Sequence, residues 1–102
     1  MLVFLLVAIS AKSNTYYFSS TTGDDSRTAS EAQHPSTPWK TLYKLNAYFS
    51  NLRPGDSILF QRGSVFTGTL RITSSGAMGN PIVFSAYGSG NMPVITGLSE
   101  LR

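Results

Sequence analysis

The chain has 102 residues, of which 41% are hydrophobic and 13% charged, with a formal net charge of +3 and no cysteine. That length allows one small domain with its own core, and the low charge argues against disorder. The missing thiols exclude a disulfide framework and thiolate metal sites. The eight cations are scattered from Lys12 to Arg102, so no nucleic-acid footprint is expected, whereas a mildly basic surface would suit an acidic polysaccharide.

Met1 to Ile9 is an almost unbroken apolar run. It is well short of the roughly 20 residues that span a bilayer but has the length of a secretory h-region. The small-x-small pairs Ala8/Ser10 and Ala11/Ser13 predict a signal peptide over residues 1–13, cleaved after Ser10 or Ser13. No Lys or Arg precedes the run, a departure from the usual signal. The expected location is secreted, periplasmic or cell-surface, with no membrane span.

Thr15-Tyr16-Tyr17-Phe18-Ser19 then reads as a strand. Residues 20–37 are polar throughout, and loops of that length are usually functional or mobile. Within them Gly23-Asp24-Asp25-Ser26 is a turn signal. Thr37 as N-cap and Pro38 at the first helical position predict a helix. Trp39, Leu42, Leu45 and Phe49 form its apolar stripe, and Lys40 and Lys44 lie towards solvent. Asn51 and Pro54-Gly55 end it.

Short strands separated by glycine turns follow: Ser57–Phe60, Val65–Gly68, Thr69–Thr73, Ile82–Tyr87 and Val94–Gly97, with a broad turn over 74–81 and another at 88–90. Ser57-Ile58-Leu59-Phe60 recurs 24 residues later as Pro81-Ile82-Val83-Phe84, and Thr69-Leu70-Arg71-Ile72 as Pro93-Val94-Ile95-Thr96. A β-type run at a fixed period predicts stacked repeats. Ile58, Phe60, Leu70 and Ile72 would face inward in one layer, and Ile82, Phe84, Val94 and Thr96 in the next.

Tyr16–Ser19, Gly23-Asp24-Asp25, Pro38-Trp39-Lys40-Thr41-Leu42, Leu52–Phe60, Gly76–Ile82, Ala86–Gly90 and Pro93–Gly97 together resemble the start of secreted parallel β-helix proteins of the pectate lyase-like superfamily. The resemblance implies an all-β fold for residues 14–102: the first two coils of a right-handed parallel β-helix behind an N-terminal capping α-helix, truncated at the C-terminus. It implies that Trp39, Leu42, Leu45 and Phe49 form the underside of the cap, with Tyr17 beside them. It also implies a parent acting on polysaccharide, a lyase or a glycoside hydrolase. The lyases of that superfamily hold Ca²⁺ on acidic residues and use Lys or Arg as base. Those positions have no counterpart here, so no catalytic, cofactor or metal residue is carried over, and Ca²⁺ would belong to the parent.

The residues themselves point the same way. Asp24 and Asp25 are far short of the six to eight oxygens Ca²⁺ takes, and turn-capping suits them better. Asp56 after Pro-Gly suits the start of a strand. His34 has no acid at a suggestive spacing, and Trp39 on the helical stripe suits packing better than sugar stacking. Arg62 and Arg71 could bind an anionic sugar, although surface solubility accounts for them. The expected function is the capping segment of a secreted glycan-acting protein; the alternative is a non-catalytic, adhesin-like β-helix that binds glycans. Alone, the segment is expected to self-associate through its open end at Val94 and Ile95.

Overall fold

Aromatic and β-branched residues give the chain its first strand, and a computed structural model shows how the rest builds on it. The model describes residues 13–100, with side chains followed as far as Gly97; the expected signal peptide lies outside the described residues apart from Ser13. The architecture is mostly β, with parallel sheets and one short α-helix.

Strand β1 (Thr15–Phe18) turns Tyr16 and Phe18 into the core. It pairs in parallel with β2 (Ser57–Gln61), which pairs in parallel with β6 (Val83–Tyr87). A second sheet joins β3 (Val65–Ile72) to β7 (Val94–Glu100), again in parallel. Between them β4 (Gly76–Ala77) and β5 (Asn80–Pro81) form a small antiparallel hairpin with Met78 fully exposed at its tip. From β2 onward the chain thus passes the same two sheets twice. No helix among the described residues is long and apolar enough to cross a membrane.

The helix is shorter than its apolar stripe suggests. It runs Leu42–Tyr48 (α1), continued by a 3₁₀ turn Phe49–Asn51, and its N-cap is Thr41, whose Oγ1 accepts the Lys44 N–H. Thr37 and Pro38 lie outside it. Trp39 is extended instead, because its N–H donates to Tyr17 O and its carbonyl accepts from Ser19 N, making a parallel bridge on the outer edge of β1. The Lys40 and Thr41 amides both donate to Asp25. With those backbone groups engaged, Thr41 is the first residue free to cap a helix.

Burial of the stripe is as expected: Trp39, Leu42, Leu45 and Phe49 are all buried. The ring beside them is Tyr16, stacked on Trp39 at 5.9 Å, with Tyr48 tilted against both. Tyr17 points the other way, edge-on to Tyr87 at 5.0 Å, since alternate strand residues face opposite sides. Lys44 does not reach away to solvent; its Nζ sits 5.0 Å over the Trp39 ring, within cation–π range.

The 24-residue register does not hold. Ser57 lies opposite Val83 and Phe60 opposite Ala86, an offset of 26, while Val65 lies opposite Val94, an offset of 29. The corners account for the difference, since 62–64 joins β2 to β3 whereas the longer 88–93 joins β6 to β7. Phe84 still reaches diagonally to stack on Phe60 at 6.4 Å. In β7 the inward residue is Ile95, opposite Phe66; Val94 and Thr96 are exposed. A one-residue change of phase moves every side chain to the other face. Phe66, absent from the expected core, is buried against Phe60.

Val65–Ile72 is one strand, bent where the register shifts between Phe66 and Thr69. Gly68 takes φ +113° there, a conformation open to glycine at little cost. The Thr96 hydroxyl accepts the Gly68 N–H, and a Cβ on Gly97 would lie 2.7 Å from Gly68 O. Glycines therefore face each other where the two passes bend together.

Candidate functional site

The polar segment after β1 is tied down along its length. Ser19, fully buried, accepts the amides of Thr21 and Thr22 on its Oγ and that of Gly23 on its carbonyl. A Cβ on Gly23 would sit 2.2 Å from Trp39 O, so only glycine lets the loop backbone approach this closely. Arg27 Nη1 donates to the Thr22 and Pro38 carbonyls, and Trp39 Nε1 donates to Arg27 O. Thr28 and Glu31 exchange bonds as a capping box for the 3₁₀ turn Glu31–Gln33.

This segment, the end of the helix and the turn before β2 enclose a polar cleft of about 340 Å³. Its floor is Asp56, fully buried, whose Oδ1 accepts the Asn14 amide and Oδ2 the Arg53 amide, both at 2.9 Å. One wall carries the Tyr16 and Tyr48 hydroxyls, 3.1 Å apart, with Asn14 Nδ2 donating to Tyr16 at 3.4 Å. Burial first, and the Tyr48 hydroxyl next, push the Tyr16 phenol up to about 12, so it stays protonated at neutral pH. Gln33, Asn51 and Arg53 complete the lining. A smaller groove of about 240 Å³ lies between Lys40–Leu42 and the start of β3.

The residues weighed from sequence fall in different places. Asp56 anchors the start of β2, since its amide also closes a turn onto Arg53 O. Asp24 is exposed and caps its own turn, accepting the Ser26 amide and hydroxyl, which lower its carboxyl below the usual range. Asp25 binds the Lys40 and Thr41 amides and the Thr41 hydroxyl. His34 is exposed on the loop. Trp39 is core. Arg62, in the corner after β2, reaches Met92 Sδ and Gly90 O in the corner after β6, while Arg71 lies at the far end of β3, so the two do not form one anion site. Among the described residues no three His, Cys, Asp or Glu side chains gather to hold a metal. The cleft was not foreseen, since Asn14 and Asp56 are brought together only by the β1–β2 pairing; the Thr28-x-x-Glu31 spacing is the signal that would have shown its rim to be structured.

No family model matches the chain. It is 44% identical over 85 residues to a lacto-N-biosidase of Bifidobacterium longum subsp. longum, an alignment covering 79% of this chain and 5% of that protein. Crystal structures of a GH136 lacto-N-biosidase from Eubacterium ramulus, native and as the selenomethionine derivative, match with a TM-score of 0.65 at 38% identity. They cover 76% of this chain and 12% of that one. The chain resembles a segment of a glycoside hydrolase. That is one of the two enzyme classes its sequence resemblance implied, and it spans only a small part of either relative.

Proposed function

We propose that this chain is the N-terminal cap and first two coils of a right-handed parallel β-helix in an exported glycoside hydrolase of the lacto-N-biosidase kind. The observation that carries this reading is the agreement of two comparisons, in sequence and in structure, on enzymes of that one name. The double pass of the chain through two parallel sheets supports the β-helix, since each pass lays equivalent strands beside the last. The role of residues 14–102 in it is mechanical. Trp39 closes the outer edge of β1, and α1 covers the end of the apolar stack, which would otherwise be an open sheet edge. Catalysis is assigned to parts of the parent outside this segment, and none of its residues is given a chemical step. Export rests on the apolar run at Met1 to Ile9.

The test is the intact mass of the native product in the exported fraction, together with hydrolysis of a lacto-N-bioside by that fraction. A mass well above that of 102 residues with release of lacto-N-biose is the expected result. A product the size of this chain, folded and without glycosidase activity, would overturn the reading.

A further inference from the structure

The polar cleft has more hydrogen-bonding capacity than its own residues use. Asp56 receives one backbone N–H on each oxygen and lies fully buried beneath the cleft, so it holds the floor, and the free capacity belongs to the side chains above it. The Tyr16 and Tyr48 hydroxyls share one hydrogen bond, and Asn14 Nδ2 donates to Tyr16, so whichever phenol donates, the other's proton has no acceptor among the described residues. The Gln33 and Asn51 amides and the Arg53 guanidinium lie on the same cleft, and none of the hydrogen bonds among the described residues uses them.

The chemistry of that set is specific. Side-chain amides each present a donor beside an acceptor, the pattern that adjacent hydroxyls on a ring complement. The Asp56 carboxylate and the Arg53 guanidinium balance in charge, so the cleft has no net attraction for an anion. Its volume of about 340 Å³ is at the low end of small-molecule sites, roughly 300–1,000 Å³, which suits one pyranose ring. We propose that the cleft lined by Asn14, Gln33, Tyr48, Asn51 and Arg53, above the buried Tyr16 and Asp56, binds a single neutral sugar residue, a glycan-holding subsite beside the helix end. This does not rest on the glycosidase reading, because a non-catalytic glycan binder would use the cleft in the same way.

Saturation-transfer NMR on the full chain, with D-galactose and N-acetyl-D-glucosamine as separate probes, tests it. At least one sugar should receive saturation at millimolar concentration. Arg53→Ala and Gln33→Ala, both on the rim and so compatible with folding, should each weaken binding about fivefold to tenfold through a lost hydrogen bond. Tyr43→Ala, on the exposed side of α1, should leave it unchanged. Variant circular dichroism must match the parent for the comparison to count, and Arg53→Lys provides a second rim variant should Arg53→Ala fail that check. Saturation of neither sugar, equal saturation in the rim variants, or binding of inorganic sulfate in place of both sugars would each overturn the proposal. Glycosidase activity is not read in this experiment, so its failure leaves the proposed function standing.

Discussion

The two ends of the molecule are held by different physics. In the first half, from Ser13 to Asp56, the chain buries Tyr16, Phe18, Trp39, Leu42, Leu45 and Phe49 and secures its loop through side chains that accept backbone amides. From Arg71 to Gly97, by contrast, Ile82 alone is buried, and the strands are held chiefly by ladder bonds to the pass before them. One region buries its apolar side chains, and the other keeps most of its own half-exposed among the described residues. A loop-rich segment has to satisfy its backbone groups locally, whereas a strand meets half of its bonding groups on each of its two sides.

The largest test of that contrast is a pair of truncations measured by urea denaturation. Trp39→Ala should cost about 3–5 kcal/mol, as large aromatic deletions in a packed core do. Phe84→Ala, half-buried in the second region, should cost only about 1–2 kcal/mol. Equal losses would break the comparison. Next comes Asp25→Ala, which strands two amides and the Thr41 hydroxyl and should lower stability by about 1–3 kcal/mol. Asp25→Asn, which keeps one acceptor, should lose less in the same melts.

Burial raises one phenol in each region, Tyr16 in the first and Tyr87 in the second, so a pH series compares them once each is removed in turn. The Tyr16 phenol is raised from 10.0 to about 12 in the folded chain, so its contribution is full below pH 10 and is lost as pH rises from there through about 12. Thermal melts should therefore fall above pH 10, and Tyr16→Phe should flatten that fall more than Tyr87→Phe does. The smallest effects belong to the exposed apolar side chains of the second half. Val94→Thr and Met78→Ser should shift stability by no more than about 0.5 kcal/mol; a larger loss at Val94 would mean that its side chain is covered.

How much of this was legible in the sequence follows the range of the interactions. Strand β2 and its inward Ile58 and Phe60 were visible from local alternation, and so was the joint burial of Trp39, Leu42, Leu45 and Phe49. The helix start was not, because the amides that delay it to Leu42 are held by Asp25, fifteen residues away from Lys40. The register of the second pass is not legible in the sequence, because similarity between Phe60 and Phe84 is a matter of residue type, while pairing depends on the length of chain taken up by the turns between them. The likeness to β-helix proteins acting on glycans led towards the hydrolases to which the chain is similar. The cleft was out of reach, for its floor joins Asn14 to Asp56 across the first sheet.

The facing glycines at 68 and 97 behave as a crease in folded paper. The first glycine makes the bend by its backbone conformation and the second leaves room for it, so Gly97 is obliged by the layer before it rather than by its own turn. A methyl group there would press on the Gly68 carbonyl and flatten both layers together. Shape at such a crease is inherited, the second strand being moulded on the one it pairs with.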